Sequence, residues 1–316
     1  MMKNVFITAI GGDIGYGIIK ALRAGQRDLY MIGCDIKKYN MSYGLVDEFF
    51  LSPAYSEEDG WIAFIIDIIK KKHIDYFWPV TEAEIKIVDQ HKDLFADATV
   101  VINTSNILQI AMDKGLTARF LAENGLMTPK TWDVMEGCEK TFPIVVKERF
   151  GCGSHAVAVV NNESDLKKAF TELNDPIVQE YIGNDDEEYT LTVFSNRKIT
   201  NHIAFKRQLG FGGMSRYVEL VQDAELTKIA EKIAGIFDLY GSINVQMRKC
   251  STNYFIIEIN PRISSTIGFR LQLGFNDVSW WIDMFDGKDI SPYVCPTEKV
   301  FGVRCVEEKI FYEKEG

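Results

Sequence analysis

Six cysteines, none in a CxxC pair, and only four histidines are spread over 316 residues, so neither a disulfide framework nor a zinc site is expected. Cys34, Cys138, Cys152, Cys250, Cys295 and Cys305 suit a reducing compartment instead. Long apolar runs are missing as well. The strongest, residues 61–69, is interrupted by Asp67 and falls far short of the roughly 18 residues that a membrane span requires. Residues 1–10 open directly into glycines without the h-region and cleavage site of a secretory signal, and a cytoplasmic location is the expectation. Positive charge is in deficit: 35 Lys and Arg stand against 45 Asp and Glu, a net charge of -10, with no basic, aromatic-interleaved cluster to compensate. That balance argues against nucleic acid as a partner, as the lack of a long apolar run does against a membrane. Internal repeats and low-complexity tracts are also lacking.

What is present is ample apolar content, 47%, enough for two or more cores at roughly 100 to 200 residues per domain. Residues 5–10 predict a strand, and the glycines at 11, 12, 15 and 17 a turn into a helix through residue 22. Strands at 30–34, 76–80 and 99–102 and a helix at 61–72 complete an open, parallel-sheet α/β domain over residues 1–105. Helical spacing over 106–124 is stopped by Gly125 and Pro129. Strands at 144–148, 156–160 and 177–181 with a capped helix at 164–173 predict a small α+β lobe, so 106–182 reads as a helical connection and lid. Short connections among 189–194, 199–205, 242–248 and 254–259, with a helix at 225–238, predict an antiparallel C-terminal lobe over 183–316.

Residues 242–248, a polar turn at 249–253 and residues 254–262 read as a hairpin. Side chains at i and i+2 share a strand face, so Glu258 and Asn260 point the same way and Gln246 can pair beside them. These are hard oxygen donors, suited to magnesium, which is normally held by one or two carboxylates together with phosphates and water. A Glu-x-Asn triplet alone would equally suit a solvent-facing hairpin. Here Pro261 ends the strand and Arg262 sets a cation beside the donors, placed to neutralise a transferring phosphoryl group.

Gln246 and the run Glu258-Ile259-Asn260-Pro261-Arg262-Ile263-Ser264-Ser265-Thr266 resemble the metal-binding hairpin of the ATP-grasp superfamily, in the variant of carbamoyl phosphate synthase large subunits. The resemblance extends over nearly the whole chain. It implies an ATP-grasp fold with an N-terminal pre-ATP-grasp domain, a small lid lobe and an antiparallel C-terminal lobe. It also implies ATP and Mg2+ as cofactors, with Mn2+ as the alternative ion. The activity implied is an ADP-forming ligase that activates a small-molecule carboxylate as an acylphosphate for attack by an amine, a thiol or a similar nucleophile, and a homodimer is compatible with it.

Carried over by residue, the resemblance implies that Lys147 meets ATP phosphates beside Gly153 and Ser154 of the loop Gly151-Cys152-Gly153-Ser154-His155, where glycines let backbone N–H groups approach phosphate oxygens. Gln179, Glu180, Tyr181 and Ile182 form the interlobe hinge against adenine, and Glu188, ahead of Glu187, takes the ribose hydroxyls. Lys114 is a further ATP-contacting cation. Apart from the resemblance, Lys206, Arg207 and Arg216 flank the glycine-rich loop at 210–213, which would carry these cations toward the phosphates or an anionic substrate. Arg262 and Lys147 stabilise the transferring charge. The chain is too short for the paired halves of carbamoyl phosphate synthases, so their bicarbonate and carbamate chemistry is not the expectation here.

Two other readings compete. Gly12, Gly15 and Gly17 with Asp35 suit a dinucleotide ribose and an NAD-dependent oxidoreductase, although Ile10 stands where the first glycine of that fingerprint belongs. A non-catalytic Mg-ATP-binding protein fits the single carboxylate among Gln246, Glu258 and Asn260. Thr81 and Glu82 either face a second substrate or, with Glu84, cap the following helix. Arg270 is the candidate partner for a substrate carboxylate, and an amino acid the candidate substrate.

Overall fold

The computed structural model describes residues 2–25, 28–133, 141–151, 157–305, 308 and 310, with the side chains of Asp185 and Phe211 also outside the description. Cys138 and the loop residues Cys152, Gly153, Ser154, His155 and Ala156 therefore lie outside the described residues. The chain divides into two compact units, one of Met1–Ile102, Arg262–Ser291 and Cys305–Gly316, the other of Asn103–Pro261 and Pro292–Arg304.

The first unit begins with β1 (Lys3–Ile7), α1 (Asp13–Ala24), β2 (Leu29–Asp35), β3 (Glu48–Leu51), α2 (Glu58–Lys71), β4 (Tyr76–Trp78), α3 (Glu82–Gln90) and β5 (Thr99–Val100). Its strands pair in parallel in the order β3-β2-β1-β4-β5. The order reverses between β1 and β4, which is where open α/β sheets gather ligands. Phe6, Ile32, Trp61, Ile65, Phe77 and Phe95 fill the core on one side of this sheet. At the start of α1 a Cβ on Gly15 would stand 2.6 Å from the Ala9 carbonyl oxygen, so glycine here serves close packing of helix on strand.

Thr81 caps α3 in a capping box with Glu84, which settles its role as structural. The buried Glu84 Oε2 also accepts from the Thr8 hydroxyl at 3.0 Å and the Thr81 N–H at 2.9 Å, pinning the end of β4 to the end of β1. Burial raises the pKa of that carboxyl against the pull of these donors.

The second unit starts with α4 (Ser105–Met112) and α5 (Lys114–Glu123), two helices where the spacing predicts one. Asp113 is the reason for the break. Its backbone is extended, and its side chain accepts from the N–H groups of Gly115 and Leu116 at 2.9 and 3.0 Å, an N-cap inside an apolar-periodic run. Then come β6 (Thr131–Trp132), β7 (Ile144–Glu148), β8 (Val157–Val160), α6 (Glu163–Glu172) and β9 (Pro176–Glu180), whose strands form an antiparallel sheet in the order β6-β9-β7-β8. Ile144, Val146 and Val178 pack that sheet on Leu166 and Ala169 of α6.

A larger antiparallel sheet follows from β10 (Glu188–Asn196), β11 (Thr200–Leu209), β12 (Ser215–Val221), α7 (Ala224–Ile236), β13 (Tyr240–Cys250) and β14 (Asn253–Asn260). Leu191, Val193, Val245, Ile256 and Ile259 of this sheet pack on Leu226, Ile229 and Ile233 of α7. The loop at 210–213 is a tight hairpin turn in which the Gly210 N–H donates to the Met214 carbonyl at 2.8 Å. The chain then returns to the first unit as α8 (Ile267–Gln272) and α9 (Asp277–Phe285), and its late segment β15 (Phe301–Val303) pairs with β12 to close the order β14-β13-β10-β11-β12-β15. Among the described residues no helix is long and apolar enough to cross a membrane.

Candidate functional site

Within the second unit a cleft of about 750 Å3 is lined by Lys114, Lys147, the segment from Gln179 to Ile182, Glu188, Gln246 and Glu258, together with Arg248 and the apolar side chains of Val145, Val157, Val159 and Ile257. Alternation along β7 sends Ile144 and Val146 into the core against α6 and leaves Val145 and Lys147 on the cleft side. On β14 the alternation is interrupted. Met247 pairs with Ile256 and Gln246 with Glu258, so Ile257 is a bulged residue without a ladder partner. The bulge turns both Ile257 and Glu258 to the cleft while Ile256 and Ile259 stay in the core. The Ile257 carbonyl then accepts from the Lys147 ammonium at 3.1 Å.

Lys147 is buried, and that burial lowers its pKa to about 8, with Glu258 pulling the other way and Lys114 and Arg248 adding to the depression. Lys114, at the first turn of α5, donates to the Gly151 carbonyl at 2.6 Å. Glu258 and Gln246 face each other across the hairpin, and Asn260, buried, pairs with Asn244 farther along the ladder. The turn is tighter than the sequence reading, since Cys250 already pairs with Asn253 and Ser251 takes a left-handed φ of 57°.

The segment from Gln179 to Ile182 is tied twice to Lys130. The Glu180 N–H donates to the Lys130 carbonyl at 2.8 Å, and the Lys130 N–H to Glu180 Oε2 at 3.2 Å. Gly183 follows with φ 65°, and a Cβ there would lie 2.8 Å from the Lys249 carbonyl oxygen, so only glycine lets the hinge lie on the end of β13. The buried Gln179 donates from Nε2 to Thr131 Oγ1 at 2.9 Å, while the Thr131 hydroxyl donates to the Pro129 carbonyl at 3.0 Å. With its proton committed, Thr131 can only accept, and this fixes the Gln179 amide with Oε1 as its other end.

Glu188 is buried between two arginines: Arg207, expected with Lys206 to carry charge toward the phosphates, and Arg248, which the sequence did not single out. Its Oε1 accepts from Arg248 Nε at 2.8 Å, and its Oε2 lies 3.4 Å from Arg207 Nη2. Arg248 also stacks over the Tyr181 ring, 5.2 Å from its centroid, linking hinge and sheet. Arg207 Nη2 makes its shorter bond, 2.7 Å, to Gln246 Oε1. Burial lowers the Arg207 pKa, against the attraction of Glu188. The sequence signal for these cations is an arginine within a strand, which is hard to bury without a partner.

Other predicted residues are placed elsewhere. Lys206, next to Arg207, is not among the residues lining the cleft; it pairs with Glu187 at 2.7 Å and sits over the Tyr189 ring. Arg262 belongs to the first unit, where Glu82 holds it at 2.9 Å. Arg270 is fully buried in a two-pronged pair with Asp277 at 2.8 and 3.0 Å, so it is a structural ion pair rather than a partner for a substrate carboxylate. Asp35 accepts the Gly11 N–H on one oxygen and the Lys37 N–H on the other, which ties the glycine turn to the end of β2 and argues against its holding a dinucleotide ribose. Gly153 and Ser154 lie outside the described residues.

Residues 111–266 match the family model described as an ATP-grasp domain. Those residues thus form an ATP-grasp domain, and the chain's parallel sheet followed by antiparallel sheets is the ATP-grasp fold. More particularly, it is similar to the carbamoyl phosphate synthase large chain of Vibrio cholerae, 23% identical over 79% of this chain and 25% of that protein. It is also similar to the D-alanine–D-alanine ligase of Fusobacterium nucleatum, 26% identical over 48% of this chain and 56% of that one. The chain therefore spans about a quarter and just over half of these relatives. Among solved structures, a biotin carboxylase in an ATP-analogue complex from Campylobacter jejuni superposes with a TM-score of 0.74 at 16% identity, covering 91% of this chain and 72% of that one.

Proposed function

We propose that the protein is an ADP-forming ligase that binds Mg-ATP in the cleft of the second unit and activates a small-molecule carboxylate as an acylphosphate for attack by an amine or similar nucleophile. The observation that carries this reading is one cleft that gathers the segment from Gln179 to Ile182, the Glu188 carboxylate, buried and half-buried cations, and the Gln246–Glu258 pair. Gln246, Glu258 and Asn260 fit a magnesium ion, since one carboxylate with neutral oxygen donors leaves coordination positions for phosphates and water. When bound, the ion supplies charge neutralisation at the phosphates.

The chain's own residues do the rest. Lys147 and Lys114 offer ammonium donors to phosphate oxygens, and Glu188 faces the ribose hydroxyls. Arg262 is the proposed cation for the phosphoryl group in transfer. Gln179 Oε1 accepts from the exocyclic amine of adenine, an interaction that a 6-oxo purine cannot make. Catalysis of this kind is positioning and charge neutralisation, without a covalently modified side chain.

The test is ADP formation by the purified chain from Mg-ATP, scanned against pools of amino acids and other small carboxylates with ammonium or amines present. ADP that appears only with particular pools supports the ligase. Tight Mg-ATP binding with no ADP from any pool would replace it with the nucleotide-binding reading. The base contact has a separate check. Replacing Thr131 with Val frees the Gln179 amide to rotate, so the preference for ATP over ITP in nucleotide binding should fall by about tenfold; an unchanged preference removes Gln179 from base recognition.

A further inference from the structure

The Arg207 guanidinium bonds to the very oxygen of Gln246 that a cation would need. Its Nη2 lies 2.7 Å from Gln246 Oε1 and only 3.4 Å from Glu188 Oε2, while its Nε, buried, has no acceptor among the described residues. Glu188 in turn is held on its other oxygen by Arg248 at 2.8 Å. A divalent cation and a desolvated guanidinium sharing one carbonyl oxygen repel each other strongly. The longer contact to Glu188 gives Arg207 somewhere else to go, because a small movement of the guanidinium would exchange the Gln246 bond for a full pairing with the carboxylate.

We propose that Arg207 is a built-in competitor for the metal, so that a free divalent cation is kept off Gln246 and the cation is accepted only together with the phosphates of a nucleotide. This rests on the reading of Gln246, Glu258 and Asn260 as the metal site, and adds to it an order of binding. The phosphates bring the negative charge that a single carboxylate lacks, and with them the cation outcompetes the arginine for the oxygen. By linkage, nucleotide and cation each strengthen the binding of the other, and Arg207 is the residue through which much of that coupling acts.

The experiment measures Mn2+ binding by electron paramagnetic resonance, with and without a non-hydrolysable ATP analogue, for the full chain and for Arg207→Gln and Arg207→Lys. Without nucleotide, R207Q should bind Mn2+ about tenfold more tightly than the parent, R207K should stay close to the parent, and the analogue should shrink the difference. Should R207Q lose its native circular dichroism, Arg207→Met, suited to the buried position, takes its place. Equal or weaker binding of free Mn2+ by the neutral variant overturns the proposal and makes Arg207 a residue that orients Gln246 for the metal. Glu258→Gln separates this from failure of the site itself: undiminished Mn2+ binding in E258Q with the analogue present would remove the metal assignment and the competitor with it.

Discussion

Glu258→Gln should lower ADP formation by a factor on the order of 10² to 10³ while leaving the fold intact. Glu258 is the one carboxylate among the proposed metal donors, and it sits directly across the hairpin from Gln246. The hairpin itself is held by backbone ladder bonds and by Ile256 and Ile259 in the core, none of which the substitution touches. Gln keeps the shape and an oxygen but removes the charge, and a site of three amides offers magnesium no anionic protein ligand. The thermal midpoint should therefore stay within about 2 °C of the parent, as for a half-buried, isosteric change. The measurement is steady-state ADP release beside a melting curve. Turnover within about twofold of the parent would remove Glu258 from the site, and a collapsed melting curve would make its role structural instead.

The particulars show where the sequence was readable and where it was not. The Glu258-to-Arg262 run could be placed on a strand end because its polar residues recur every second position, and the structure puts Glu258 and Gln246 opposite each other. The bulge at Ile257 was invisible, since an apolar residue in an apolar strand gives no signal that it has left the ladder, yet it is what offers Lys147 a carbonyl. Helical periodicity ran through Asp113 without a break, and only the cap's own geometry divides α4 from α5. β3, β6 and β15 carry no sequence signal because short edge strands show little alternation; the interior strand β12 was not expected either. Arg207 and Lys206 are neighbours in sequence on opposite faces of β11, and the choice between them depended on register, which the sequence leaves open. The return of residues 262–291 to the first unit is a tertiary fact with no local signature.

Lys147→Met should abolish most activity and at the same time stabilise the protein near pH 7. The ammonium is buried beside Lys114 and Arg248, and its pKa of about 8 lies below the 10.5 of an unburied lysine. Below pH 8 both folded and unfolded states carry the charge, and the folded state bears the cost of desolvating it. Between pH 8 and 10.5 the folded state releases the proton while the unfolded state keeps it, so the stability contributed by this group rises with pH across that window and is lost as pH falls through about 8. The full span corresponds to roughly 3 kcal/mol, an upper bound on what methionine can recover, and the gap between parent and variant should close toward pH 10.5. Nucleotide reverses the sign. Phosphate oxygens next to the ammonium favour its charged form, so nucleotide binding by the parent near pH 9 should take up a proton, and K147M should take up correspondingly less. Calorimetry in buffers of different ionisation enthalpy reads that uptake directly, and ADP formation by K147M should be down by a factor on the order of 10² to 10³. A variant that melts earlier at pH 7 and leaves proton uptake unchanged would mean that Lys147 is held by its bond to the Ile257 carbonyl for structure alone; the expected pattern ties the cost of burying this cation to the phosphates it is there to meet.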